Sequence, residues 1–200
     1  MSELPWLKRQ KTTVPGEKFG LVKLTTVYRL FNPQVPVIIC SKFRKEIAAM
    51  PANSCSSVSN SPPLVSLALK KGIRTNTIVR SSQVFSLNWI NFEPESSRRI
   101  VLDLAKPSLE KRSYRDKLNE YNIPYRILKG APVLNNARAF ALCRINKQLA
   151  VGDHDLFIAR VTYARAIRDF TEDEYWRFQD YKPVLYVGSI RRNPLITMVR

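Results

Sequence analysis

Two long strand-like stretches joined by a glycine-containing connection constrain the fold more than any other feature of the chain. Ala137–Ile145 and His154–Ala164 are rich in apolar and β-favouring residues, and Gln148–Asp153 between them is typical of a turn. Two long strands across a short connection predict an antiparallel hairpin. The most regular part of the sequence is therefore β structure.

Shorter patterns flank this hairpin. Further strands are predicted over 35–41, 64–69, 83–91 and 183–188, and helices over 73–81, 98–106, 113–121 and 171–179. Strands dominate and no strand–helix–strand alternation is present, so we expect a mainly β, antiparallel barrel with a few peripheral helices. The 200 residues suit one domain. We expect an N-terminal lead-in over 1–32, the domain over 33–190 and a C-terminal tail over 191–200.

A segment of small polar residues precedes the strand at 64–69. Residues 50–61 are rich in serine and contain two asparagines, and Pro62 and Pro63 follow directly. One interpretation is a flexible serine-rich linker. The other is a wall for a flat ligand, because hydroxyl and backbone N–H groups could contact polar ring edges there.

Cationic and hydroxyl residues gather where the helix over 73–81 is expected to begin. Lys70, Lys71, Arg74 and Thr75 lie at its N-terminal end. Cations, a hydroxyl and free helix N–H groups together predict a phosphate pocket. A solvated basic face explains the same residues equally well.

The charge balance points to anionic partners. The chain has 33 Lys and Arg against 16 Asp and Glu, a formal net charge of +17, which favours a phosphate-bearing or polyanionic ligand. The cations are dispersed as pairs, however, and no zinc-finger spacing or aromatic RNA-binding strand motif is present. The pattern therefore argues against nucleic-acid binding as the main role.

Several classes of protein are disfavoured by what the sequence lacks. No apolar leader follows Met1, and the longest apolar run, 35–40, is far shorter than the roughly 20 residues of a membrane helix. Cys40, Cys55 and Cys143 form no zinc or disulfide pattern, so we expect no metal site. These features predict a cytoplasmic protein with no membrane partner.

The single histidine is the best candidate for a functional side chain. His154 follows Gly152 and Asp153 at the predicted hairpin turn, from which side chains can reach a cleft. A histidine in a strand is more often structural. No P-loop, G-x-G-x-x-G fingerprint or G-x-S-x-G elbow accompanies it, so the residues do not by themselves define a reaction.

Three segments in order resemble the flavin reductase family of FMN-binding split barrels. They are the small-residue run from Ala49 to Leu64, ending in Ser-x-x-Pro-Pro-Leu; Arg74-Thr75 followed by Phe85-Ser86-Leu87-Asn88; and Gly152-Asp153-His154-Asp155-Leu156-Phe157-Ile158. The closing Tyr186-Val187-Gly188 is similar as well. The resemblance spans about residues 33–190.

The resemblance implies a six-stranded antiparallel Greek-key split barrel that works as a homodimer, with flavin at the subunit interface. It implies FMN as the cofactor (FAD being the alternative) and NAD(P)H as co-substrate, and it places His154 where it would position the nicotinamide. The implied flavin-binding residues are Met50, Pro51, Asn53, Ser54, Ser56, Ser57, Lys71, Arg74, Thr75 and Asn76.

Three functions are compatible with these observations. The leading hypothesis is an NAD(P)H-dependent flavin reductase that passes hydride from nicotinamide to flavin and then electrons to a partner monooxygenase or another acceptor. The second is a non-enzymatic FMN-binding electron-transfer flavoprotein on the same fold. The third is a basic nucleic-acid-binding β-barrel, whose binding would be sensitive to salt.

Overall fold

A computed structural model describes residues 22–32, 34–93, 95–106, 116–168, 170, 176–177, 181–186 and 195–197. Its contacts divide the chain into two units, 1–32 and 33–200. In the first unit, Leu24–Phe31 forms a 3-10 helix within the predicted lead-in.

The second unit is mainly β. Its strands are β1 (Val37–Phe43), β2 (Glu46–Ala52), β3 (Cys55–Asn60), β4 (Pro63–Lys70), β5 (Val84–Ile90), β6 (Tyr125–Leu128), β7 (Ala131–Leu134), β8 (Ala137–Val151), β9 (His154–Ala166), β10 (Val184–Tyr186) and β11 (Leu195–Thr197). Its helices are α1 (Arg74–Ser82), α2 (Glu95–Ala105) and α3 (Lys117–Glu120). The predicted helix over 171–179 lies outside the described residues, apart from 176–177.

One antiparallel sheet dominates the unit. Its seven strands follow the order β2-β1-β5-β8-β9-β4-β3. The two outer strands, β2 and β3, are consecutive in the chain and separated by Asn53 and Ser54. The mainly β, antiparallel class predicted from the sequence is confirmed, with seven strands in this sheet where six were expected. The small-residue segment contributes to two strands rather than one, which raises the count.

Apolar side chains pack on both faces of the sheet. On β1, Val37 and Ile39 belong to one core cluster, and Ile38 and Cys40 to another. This two-sided burial explains the continuous apolar run of β1, since a strand covered on both faces shows no alternation. Phe85 and Phe157 are fully buried in the first cluster, and burying each side chain contributes about 2–3 kcal/mol.

The long hairpin is confirmed, but its turn is shorter than predicted. Strand β8 continues through Gln148 to Val151 and pairs with β9 up to His154, leaving only Gly152 and Asp153 as the turn. Gly152 has a φ of +52°, a left-handed conformation that glycine adopts without strain. The prediction of a turn over Gln148–Asp153 was wrong because Leu149 and Val151 extend the strand pattern to its end.

Candidate functional site

The small-residue segment forms part of the sheet and not a flexible linker. Met50 and Pro51 are half-buried in β2, opposite Ile39 and Ile38 of β1. Asn53 is half-buried at the break between β2 and β3. The outer edge strand therefore presents small residues along a surface that a flat ligand could contact.

The serines beyond the break are exposed. Ser54, Ser56 and Ser57 all face solvent, and Ser56 lies opposite Ser66 of β4. The Ser56 hydroxyl donates to the Ser57 carbonyl at 3.3 Å, a long hydrogen bond that a better acceptor could replace. These hydroxyls are thus available to a ligand on the outer side of β3.

Helix α1 begins without a side-chain cap. Its N-cap residue is Ile73, no side chain accepts a hydrogen bond there, and the first turn carries no acidic residue. The first hydrogen bond of the helix runs from Thr77 N to Ile73 O at 3.3 Å, so the N–H groups before Thr77 have no acceptor within the helix. This end of α1 suits an anion such as a phosphate.

The residues predicted to hold a phosphate surround that helix end but differ in accessibility. Lys71 is exposed and Arg74 is half-buried, with its guanidinium 3.9 Å from the Glu46 carboxylate. Thr75 and Asn76 are buried. A ligand could therefore reach the two cations directly, whereas it would meet Thr75 and Asn76 mainly through backbone N–H groups.

Asn76 is hydrogen-bonded to Asp155, a residue that the sequence patterns did not single out. Its amide Nδ2 donates to the carboxylate of buried Asp155 at 2.9 Å, and to the carbonyls of Leu69 and Lys70 at 3.0 and 3.2 Å. We call Asn76, Asp155 and these two carbonyls the site cluster. Asp155 could have been found from its position, because it shares the inward side of β9 with buried Phe157.

The hairpin turn is hydrogen-bonded to Lys71, in the short segment between β4 and α1. Lys71 N donates to Asp153 O at 2.9 Å, and Lys71 Nζ donates to Gly152 O at 2.7 Å. His154, half-exposed, lies directly opposite Lys70 on β4. The structure therefore brings the predicted histidine and the predicted phosphate pocket together, although about 80 residues separate them in the sequence.

Asp153 orients the histidine. Its carboxylate lies 2.7 Å from His154 Nδ1, and this hydrogen bond lowers the pKa of the Asp153 carboxyl below its usual range. The carboxylate therefore stays ionised at neutral pH and favours a proton on Nδ1, which leaves Nε2 for another partner.

Strand pairing connects this region to the serine wall. Ala68 N donates to Ser54 O at 3.0 Å, and Ser56 lies opposite Ser66, four residues before Lys70 along β4. Four residues of strand span about 13 Å. The wall and the helix end thus form the two ends of one elongated candidate site.

Other kinds of site are not formed by the described residues. No group of three His, Cys, Asp or Glu side chains is placed to bind a metal ion there. Among the helices that the structure describes, none is both long enough and apolar enough to cross a membrane.

Comparison with known proteins identifies the class of protein that this fold represents. The family described as "Flavin reductase like domain" matches residues 28–191. The match covers most of the chain, and the chain belongs to this family.

Individual relatives are more distant. An uncharacterized protein of Aeropyrum pernix is 25% identical over 173 residues, which are 86% of this chain and 64% of that protein. The NADH-dependent flavin reductase StyB of Pseudomonas fluorescens is 28% identical over 138 residues, 66% of this chain and 71% of that one. The chain thus spans about two thirds of the length of these relatives.

Solved structures share the fold. An FMN-binding protein from Thermus thermophilus aligns with a TM-score of 0.69 and 18% identity, covering 98% of this chain and 96% of that one. The styrene monooxygenase flavin reductase from Pseudomonas putida S12 aligns with a TM-score of 0.65 and 20% identity, covering 90% and 99%. At these identities the likeness concerns the fold.

Proposed function

We propose that this chain is an NAD(P)H-dependent flavin reductase that binds FMN, with FAD as the alternative flavin. The observation that carries the proposal is the uncapped start of α1, which closely follows Lys71, the residue hydrogen-bonded to the turn that presents His154. The start of α1, which suits an anion, and the imidazole of His154 then lie at one end of the elongated site, and the serine wall on β3 lies at the other. Family membership and the NADH-dependent relative support the same activity.

The chain's own residues divide the work of binding. Lys71 and Arg74 offer cations to the flavin phosphate, and the backbone N–H groups at Thr75 and Asn76 offer neutral donors. Asn53, Ser54, Ser56 and Ser57 line the ring edge, with Met50 and Pro51 beside them. When bound, the flavin supplies the redox chemistry, accepting a hydride from the nicotinamide and passing two electrons on.

His154 is proposed to position the nicotinamide. Its Nε2 is free to contact the second ring while Asp153 holds Nδ1. Holding two rings in contact raises the rate by orientation and requires no proton transfer from the imidazole. Donors along the wall would stabilise the negative charge that develops on the flavin edge.

The remaining proposals concern architecture and partners. We propose a Greek-key split-barrel domain over 33–190 that forms a homodimer with flavin between subunits. Six consecutive exposed residues on β8, 146–151, support this, because they include the apolar Leu149 and Val151. A monooxygenase is the proposed acceptor, by analogy with the styrene monooxygenase flavin reductase. The cytoplasmic location stays a prediction.

The test compares FMN with riboflavin, which lacks the phosphate. We expect the protein to bind FMN at least tenfold more tightly than riboflavin, as measured by the quenching of flavin fluorescence. This ratio corresponds to a difference of about 1.4 kcal/mol in binding free energy. Arg74→Gln should narrow that gap, whereas Arg80→Gln, at the other end of the same helix, should not. The protein should also oxidise NADH or NADPH when FMN is present.

Each outcome separates the hypotheses. FMN binding without oxidation of either nucleotide would identify an electron-transfer flavoprotein. Equal affinity for FMN and riboflavin would contradict the proposal that the start of α1 binds the flavin phosphate. No binding of any flavin would overturn the proposal as a whole.

A further inference from the structure

Positive charge is concentrated along the part of the chain that forms β6 to β9. Residues 121–168 contain eight Lys and Arg and two acidic residues, Asp153 and Asp155. Asp153 lies in the hairpin turn, and Asp155 is buried against Asn76. The remaining charged residues within this stretch are therefore all cationic, and the flanking acidic residues Glu120 and Asp169 lie directly outside it.

Five of these cations lie on the outer face of the β8–β9 hairpin and on the β6–β7 hairpin beside it. We call them the basic face: Arg126, Lys129, Arg144, Arg160 and Arg165. Arg144 and Arg160 are direct cross-strand partners. Their chain neighbours Cys143 and Ala159 are buried in the core, so both arginines project to the opposite side.

Aromatic rings hold the other three cations on the same face. Lys129 Nζ lies 4.8 Å from the centre of the Tyr163 ring, and the Arg165 guanidinium lies 6.0 Å from it. The Arg126 guanidinium lies 5.5 Å from the centre of the Phe140 ring. The two rings are themselves 6.0 Å apart. The cations are thus held near one another rather than scattered over the surface.

Among the described residues, no carboxylate neutralises the basic face. None of its five members forms an ion pair with a carboxylate of the described residues. Two like charges directly opposite each other on paired strands are destabilising. An external anion would relieve the repulsion between Arg144 and Arg160.

A small pocket lies within this face. It has a volume of about 140 Å³, and its lining includes Lys129, Arg144, Thr162 and the apolar Leu142. Ligand sites for small molecules are commonly about 300–1,000 Å³, so this pocket suits one side chain. A carboxylate side chain could place its acidic group between the two cations.

We propose that the basic face is a docking surface for an acidic segment of a partner protein. Arginine forks bind carboxylates through paired hydrogen bonds, and the pocket would take one acidic side chain. Single-stranded nucleic acid fits less well, because it uses aromatic rings for base stacking. Here Phe140 is buried and Tyr163 is flanked by two cations.

The surface is separate from the His154 end of the candidate flavin site, whereas the serine wall on β3 lies two strands from Arg160, across β4. Arg160 and His154 are six residues apart on β9, about 20 Å along a strand. A partner could therefore bind the basic face while the site near His154 remains accessible to nucleotides. The proposal does not depend on flavin reductase activity.

The test uses a fluorescent oligoglutamate peptide and the full chain. The double variant Arg144→Gln/Arg160→Gln removes a repulsive pair and should fold normally. We expect it to lose about tenfold in peptide affinity at low salt, which is about 1.4 kcal/mol. The matched control, Lys45→Gln/Arg80→Gln, removes the same charge from exposed positions elsewhere and should change the affinity less than twofold.

Two further measurements make the result decisive. FMN affinity should be unchanged in Arg144→Gln/Arg160→Gln, and its loss would show that these arginines belong to the flavin site. An oligothymidylate of matched charge should bind more weakly than the peptide. Equal peptide affinity in the two double variants, or a preference for the oligonucleotide, would overturn the proposal.

Discussion

Asn88 and Asn76 are both buried asparagines, and each donates from Nδ2 to backbone carbonyl groups. Asn88 lies within the sheet, where it also donates to Ser86 Oγ and accepts from Leu134 N at 3.0 Å. With Ser86 and Cys40 it forms what we call the central cluster. Asn76 lies instead in the site cluster, beside the turn that carries His154.

The difference shows how one kind of polar bond can serve the fold or the site. The central cluster joins β5 to β1 and to β7, and the Ser86 hydroxyl also donates a hydrogen bond to Pro132 O. None of its members is among the residues proposed to bind flavin. The site cluster joins α1 to β4 and β9, and both α1 and β9 carry proposed site residues. Replacing members of the two clusters should therefore affect different properties.

The largest effect is expected from Asn88→Ala. This change removes the acceptor of the Leu134 N–H and a donor to the Ile38 carbonyl, and a buried group left unpaired costs about 1–3 kcal/mol. We expect the free energy of unfolding in urea to fall by about 3 kcal/mol. Asn146→Ala, at an exposed position of β8, is the control. It should change the free energy of unfolding by less than about 0.5 kcal/mol.

FMN affinity distinguishes Asn88→Ala from a variant of a residue proposed to bind flavin. Where Asn88→Ala is still folded, it should bind FMN as the unaltered protein does, because no member of the central cluster is proposed to bind flavin. A stability loss below about 1 kcal/mol would mean that water or a rearrangement replaces the lost bonds.

The thiols extend the comparison to reactivity. Burial raises the pKa of Cys55, on the site's edge strand, to about 11, and raises that of Cys40 in the central cluster further still. Well below pH 9, a thiol with a pKa near 11 holds about a hundredfold less thiolate than a free thiol with a pKa near 9. Alkylation by iodoacetamide at pH 8, followed by mass spectrometry, should be slowed by about that factor at Cys55.

The order of reaction is the sharper observation. Cys40 should react more slowly than Cys55, because its burial is complete. Both raised pKa values also stabilise the folded state fully below pH 9, and this contribution is lost as the pH rises through the folded-state pKa. Reaction of Cys40 before Cys55 would contradict the distinction between the two regions.

Asn76→Ala should affect both stability and binding. Buried Asp155 would lose its side-chain donor, at a cost of about 2 kcal/mol for a bond to a charged group. FMN affinity should fall roughly tenfold, because the start of α1 would lose its connection to β9. Urea unfolding and FMN fluorescence titration measure the two effects.

A double-mutant cycle tests whether Asn76 and Asp155 act as a unit. The variant with both Asn76→Ala and Asp155→Ala should be more stable than the sum of the single changes predicts, since no unpaired carboxylate remains. Additive losses would show that the 2.9 Å bond contributes little.

Much of this arrangement could be predicted from local sequence patterns. The apolar run at 37–40, the hairpin strands and α1 follow from burial, alternation and spacing, which act over a few neighbouring residues. Strands β6 and β7 were missed because Gly130 and Pro132 indicate turns. Pro132 is accommodated because β7 belongs to a separate two-stranded sheet, paired with β6.

The candidate site was predictable to a different extent. His154 and Lys71 were each singled out from their local sequence, but the hydrogen bonds from Lys71 to Gly152 and Asp153 depend on the register of β4 with β9. Asp155 required knowing which side of β9 faces inward. Long-range pairing sets both, and a single sequence carries little direct information about it.

The smallest effect is expected from Ser56→Ala on the exposed wall. Its hydroxyl forms only a long bond to the adjacent carbonyl, so the free energy of unfolding should change by less than about 0.5 kcal/mol. Loss of one hydrogen bond to the flavin edge should weaken FMN binding about three- to fivefold, or roughly 0.7–1 kcal/mol. Ser81→Ala, exposed on α1, should change neither quantity. Fluorescence titration with FMN measures the affinity of both variants. Equal FMN affinities would show that Ser56 does not contact the flavin. Ser56 and Asn88 would then differ only in burial.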